Sequence, residues 1–568
     1  MSVPVPRLLL SVLIAAQLAA CSSGAPVAAP APAAELPLAE AQADAAVASP
    51  ALSAPMPAVA PAAAPARPMA AGKAAHEMAR RAVTPSLMPA PMPMPVPDQP
   101  SNERYGQISD NPIHRVAEAP VSTFSVDVDT GSYSNVRRLL NGGALPPSDA
   151  VRVEELINYF PYDYALPRDG RPFAVHTALA PAPWNAQRVL LRVAIKGQDV
   201  AQQSLPPANL VFLVDVSGSM ESADKLPLLR SSLKLLVDQM RPVDRISLVT
   251  YAGSTQVVLP PTSGADKAAI KAAIDGLRAG GGTAGASGIE LAYRAAQQSF
   301  IDGGINRILL ATDGDFNVGV SDTEQLKKMV EAQRRTGISL STLGFGTGNY
   351  NEQLMEQIAD VGDGAYSYVD NLMEGQKVLV SEMSSTLATI ARDVKVQIEF
   401  NPALVQEYRQ IGYENRQLRR EDFHNNQVDA GDIGAGHTVT ALYELTLTGA
   451  RGAIDPLRYG AAVTAGDARS GELAHLRLRY KRPGQSSSEL IETPIRREAM
   501  KPLDQADADF RFATAVAGFG QVLRGGRHTG GWTVADARAL ASASLGEDRF
   551  GYRGEFLRLA GLAQALAK

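Results

Sequence analysis

The sequence predicts an α/β domain with a doubly wound parallel sheet, inserted into a β-sandwich-like domain. A helical region follows it, and a disordered linker precedes both. Three observations predict this. Strand-type alternation appears in two separated places, RVLLRVAIKG at 188–197 and DVKVQIEF at 393–400, and continues at 441–447 and 475–480. The residues between those places instead alternate apolar strands with amphipathic helices, the pattern of βαβ units covered on both faces. Residues 25–100 are mostly Ala, Pro and Met, a composition that favours polyproline II and builds no core.

Taken in order, the chain opens MSVPVPRLLLSVLIAAQLAACSSG. Arg7 precedes a short apolar run at 8–16, which suits a secretory signal (1–20) and is short for a membrane span. Leu18-Ala19-Ala20-Cys21 resembles a bacterial lipobox. That resemblance implies cleavage before Cys21 and lipidation of its thiol; the alternative is an ordinary signal with an unrelated cysteine. Ser22 after the cysteine, by the same resemblance, favours the outer membrane of a Gram-negative envelope. Residues 21–110 then read as a tether, and at about 3.1 Å per residue its Pro-rich part reaches on the order of 200 Å.

Residues 111–170 mix a strand-like piece at 123–128 with helical pieces at 133–140 and 151–160. The β domain is read at 171–206 and 388–500, and the insert at 207–386. Insertion is tolerated where chain ends lie close together. Within the insert, strands are expected at 209–215, 245–252, 307–313, 338–346 and 365–369, and helices around 267–277, 286–299, 323–335 and 352–360. Leu226, Leu229, Leu233 and Leu236 share one helical face. In the tail, 501–568, Phe512, Val516, Phe519 and Leu523 form one stripe, and Phe556, Leu559, Leu562 and Leu566 another. Such stripes serve a core or a docked partner.

Composition narrows the function. A chain of 568 residues is too long for one core, and a formal charge of −5 argues against a nucleic-acid binder. The single cysteine excludes an intramolecular disulfide framework and a Cys-based zinc site. His76-Glu77 is followed by Arg80 where a zincin needs histidine, and GGGTAGASG lacks the lysine of a phosphate-binding loop.

The informative stretch is VFLVDVSGSM, 211–220, where an apolar strand runs into Asp215, Ser217 and Ser219 at i, i+2, i+4. In an open α/β sheet, ligands bind at the carboxyl ends of the strands. Asp313 closes a second such strand, RILLATD, and the Gly-rich loop GGGT between them supplies Thr283. Asp215, Ser217, Ser219, Thr283 and Asp313 are all hard oxygen donors, suited to Mg²⁺, Mn²⁺ or Ca²⁺ rather than zinc or copper.

Asp-x-Ser-x-Ser, Gly-Gly-Thr and Thr-Asp-Gly in this order resemble the metal-ion-dependent adhesion site of von Willebrand factor A domains. The resemblance covers about 209–370. It implies direct contact of Ser217, Ser219 and, in some members, Thr283 with the cation, contact of Asp215 and Asp313 largely through water, and an acidic side chain of a partner protein as ligand. VAEAPVSTFSVDVDTGSYSNVRRLL, AGHTVTALYEL, DADFRFATAVAGFGQVLRGG and LGEDRFGYRGEFLRLAGLA further resemble a bacterial family of von Willebrand factor A lipoproteins.

The expectation is an envelope-anchored, metal-dependent protein-binding module with an unidentified protein partner. The alternative is an envelope assembly factor in which the metal only stabilises the fold. A hydrolase is not expected, because no histidine, lysine or glutamate beside the motif in sequence is evident as a general base. Asp315 is read as shaping its loop. Asp127 and Asp129 are read as a turn, or else a second cation site.

Overall fold

The computed structural model describes residues 103–283, 285–314, 323–455, 457–458 and 471–567. Cys21, the tether up to residue 102 and Asp315 lie outside the described residues.

The insert is built on a six-stranded sheet. Its spatial order is Tyr366–Val369, Ser339–Phe345, Ile305–Thr312, Ala208–Asp215, Arg245–Tyr251, Thr255–Ser263. All neighbours are parallel except the last pair, which forms an antiparallel hairpin. That edge strand, which carries Pro260-Pro261, is not among the strands expected from the sequence. Proline cannot donate to a ladder and is confined to edges, which is where this strand lies. Alternate residues of the central strand serve the two faces. Leu210, Phe212 and Val214 pack with Leu229, Leu233 and Leu236 of helix Leu226–Gln239. Val211 and Leu213 pack with Ile289, Ala292 and Tyr293 of helix Gly285–Gln298.

Two five-stranded paths, antiparallel throughout, make the sandwich. One runs His114–Arg115, Val405–Ile411, Thr438–Leu447, Asn185–Gly197, Phe173–Ala182. The other runs Gln417–Leu418, Val121–Ser125, Thr389–Phe400, Glu472–Lys481, Ser488–Arg496. Val189, Leu191, Val193 and Ile195 meet Val394, Val396, Ile398 and Phe400 in one core. The opposite face of the Asn185–Gly197 strand is also covered. Leu190 and Ala194 pack with Phe512, Val516, Phe519, Phe556 and Leu559 of the tail, and with Tyr133 and Phe160 of the N-terminal region. The tail stripes therefore pack inward, with Leu566 left at the surface.

The N-terminal region is woven into this frame. Val121–Ser125 pairs with Thr389–Phe400 on one side and with Gln417–Leu418 on the other. Contacts begin before residue 111, where the sequence reading started the ordered chain: Glu103 accepts a hydrogen bond from Gly348 N–H at 3.0 Å and from Arg138 at 2.8 Å. Arg137 joins three regions. Its buried guanidinium meets Glu374 at 2.8 Å, Glu555 at 3.1 Å and Asp370.

Candidate metal centre

Parallel pairing of Val214 with Ala311 sets Asp215 and Asp313 at the carboxyl end of adjacent strands. Thr312 Oγ1, between them, donates to Asp215 Oδ2 at 2.8 Å and accepts Gly314 N–H at 3.1 Å. The other oxygen, Asp215 Oδ1, accepts Ser217 N–H at 2.9 Å, which turns the chain so that Ser217 Oγ and Ser219 Oγ lie 3.0 Å apart. The Gly-rich loop is stitched onto this turn by Gly218 N–H to Gly281 O, 3.0 Å, and Gly280 N–H to Val216 O, 2.8 Å. Gly281 has φ +86°, a conformation L side chains rarely adopt. Thr283 follows, buried. The structure thus brings all three motif segments to one sheet edge, with both aspartates buried and Ser219 exposed at the surface.

Burial pushes the Asp215 carboxyl up to about 6, with Asp313 adding to the rise and hydrogen bonds from Ser217 and Thr312 opposing it. Among the described residues no group of three or more His, Cys, Asp or Glu side chains could hold a metal ion. Among the described residues the centre has two carboxylates, so any cation there would also rely on the neutral hydroxyls of Ser217, Ser219 and Thr283. That all-oxygen, weakly charged set fits a hard divalent cation.

Thr312 belongs to the Thr-Asp-Gly motif, though the sequence assigned it no role; two further residues escaped sequence reasoning. Lys225 was not expected beside the motif, yet its Nζ donates to Asp313 Oδ2 at 2.9 Å and to Asn349 Oδ1 at 3.0 Å. Asn349 Nδ2 donates to the same Asp313 oxygen at 3.2 Å, closing a triangle. The available signal was position: Lys225 immediately precedes helix Leu226–Gln239, on the sheet edge that Asp215 faces. Gly346, at φ +78°, lies under the Lys225 stem, where a Cβ would collide with it.

Asp127 and Asp129 form a turn. Asp127 Oδ1 accepts Asp129 N–H at 3.1 Å, and Arg416 meets both carboxylates at 3.2 Å, so a guanidinium already supplies the positive charge there. They border a buried acidic cluster with Glu154, Glu155, Glu352 and Glu356. Arg152 reaches Glu356 at 2.8 Å, Glu155 at 3.3 Å and Glu352 at 3.9 Å.

Sequence comparisons agree with this architecture. Residues 209–381 match the von Willebrand factor type A domain, 99–192 a family described as von Willebrand factor, and 385–566 "Uncharacterized protein YfbK, C-terminal". The insert is a von Willebrand factor type A domain, a class that generally binds proteins. Over 476 residues the chain is 53% identical to protein YfbK of Escherichia coli (strain K12), covering 82% of each. The chain belongs to the YfbK family. It is also 27% identical to protein sll0103 of Synechocystis, over 56% of this chain and 71% of that one. Among solved structures, a von Willebrand factor type A protein from Catenulispora acidiphila is 16% identical, covering 69% of this chain and 91% of that one, with a TM-score of 0.39.

Proposed function

We propose that this chain is an envelope-anchored protein-binding module whose von Willebrand factor type A domain holds a divalent cation and, through it, an acidic side chain of a partner protein. Ser217, Ser219 and Thr283 would touch the cation, and Asp215 and Asp313 would act through water. Mg²⁺ fits, with Mn²⁺ or Ca²⁺ as substitutes. The cation would supply a Lewis-acidic position for the partner's carboxylate; the protein residues hold and orient it. The reading is one of binding rather than turnover. The observation that carries it is the convergence of Asp215, Asp313 and the Ser217–Ser219 turn at one sheet edge.

No helix among the described residues is long and apolar enough to cross a membrane. Attachment in this reading is by lipid on Cys21. Several acyl chains on one residue anchor stably.

The test is a cross-linked pull-down from native envelope with wild type in Mg²⁺, wild type in chelator, and a Ser217→Ala, Ser219→Ala variant of unchanged melting temperature. A protein captured only by wild type in Mg²⁺ supports the reading. Equal capture in all three removes the site from recognition and favours an assembly role in which the cation only stabilises the fold.

A further inference from the structure

Lys225 places a cation where the proposed metal site needs its anions. Its ammonium is buried against Asp313 Oδ2 at 2.9 Å, with a side chain only 8% exposed. It is held from a second side by Asn349 Oδ1 at 3.0 Å. Gly346 leaves room for its stem. This is a built position, since a long lysine gives up rotamer freedom only where packing and hydrogen bonds offset the loss.

The charge balance gives the arrangement a consequence. The two buried carboxylates, Asp215 and Asp313, alone would neutralise a divalent cation. The loaded site would then be neutral, with little net attraction for an anion. With Lys225 counted, these three described groups contribute one net negative charge, so together with a divalent cation they carry one net positive charge.

We infer that Lys225 is a specificity-determining residue that weakens cation binding at this site and strengthens binding of an anionic carboxylate to the loaded form. The inference rests on the proposed metal-dependent reading. The two effects have opposite signs, which a purely structural lysine would not produce.

The test uses the full chain with Mn²⁺ as metal and acetate as carboxylate probe. Calorimetry gives Mn²⁺ affinity. Water-proton relaxation of the Mn²⁺-loaded protein gives acetate affinity. Lys225→Met keeps the apolar stem and removes the charge; Lys225→Arg keeps a positive charge; Asn349→Asp neutralises the ammonium without touching its stem. Lys225→Met and Asn349→Asp are each expected to bind Mn²⁺ on the order of tenfold more tightly and acetate on the order of tenfold more weakly. Lys225→Arg is expected to stay near wild type. Loss of both affinities in folded Lys225→Met, or no change in either, overturns the inference while leaving the metal site standing. Absence of Mn²⁺ binding in wild type and all variants overturns the metal reading itself, and the inference with it.

Discussion

Glu352 is buried at the start of helix Glu352–Val361, and neither of its carboxyl oxygens has a hydrogen-bond partner among the described residues. Burial pushes its pKa up to about 8; Arg152 opposes the shift, while Glu356 and Glu154 add to it. Its ordinary value is 4.5. Below that pH the group is protonated folded and unfolded alike, and contributes no pH dependence. Above it the unfolded chain releases the proton while the folded chain keeps it, so stability falls until the folded carboxyl also ionises. At about 1.4 kcal/mol per pH unit, the loss between pH 4.5 and 7.5 is about 2 to 4 kcal/mol. The lower figure applies if Arg152, 3.9 Å away, closes on the carboxylate. Glu352→Gln removes this titration and keeps the shape. Its stability relative to wild type is expected to rise by that amount from pH 4.5 to 7.5, read as urea midpoints in matched buffers. A constant gap between variant and wild type across that range would refute the reasoning, because it would mean Glu352 is already ionised when folded.

Other outcomes follow from the same geometry. Arg137→Met leaves Asp370, Glu374 and Glu555 without their shared guanidinium; a loss of about 3–5 kcal/mol is expected in thermal or urea unfolding, partly restored by adding Glu374→Gln. Gly346→Ala forces a side chain into a left-handed backbone and onto the Lys225 stem, and is expected to cost at least about 1 kcal/mol, measured by unfolding. Saturating Mg²⁺ at a hundred times its dissociation constant is expected to stabilise wild type by about 2.7 kcal/mol against chelator, and not the Asp313→Ala variant, measured by calorimetry.

The sheet domain was legible because its strands are apolar and its helices amphipathic, and three motif segments fell at loops the topology brings together. The Thr255–Ser263 edge strand was not, because Pro260-Pro261 hides its period. Asn185–Gly197 is buried on both faces, so its sequence announces a strand without saying that helices cover one side. Lys225 could not be read as part of the site, since its pairing with Asp313 spans 88 positions and depends on the path of its stem over Gly346.

The placement of Val121–Ser125 between Thr389–Phe400 and Gln417–Leu418 bears on how the molecule is made. A ribosome emits this strand long before either partner exists. The von Willebrand factor type A insert, whose six described strands pair with one another, can fold in the meantime as a unit. Its completion brings the chain on either side of it together, and so shortens the loop that closing the sandwich must pay for in entropy. In that sense the insert, besides whatever it binds, acts as a clamp on the assembly of the frame around it.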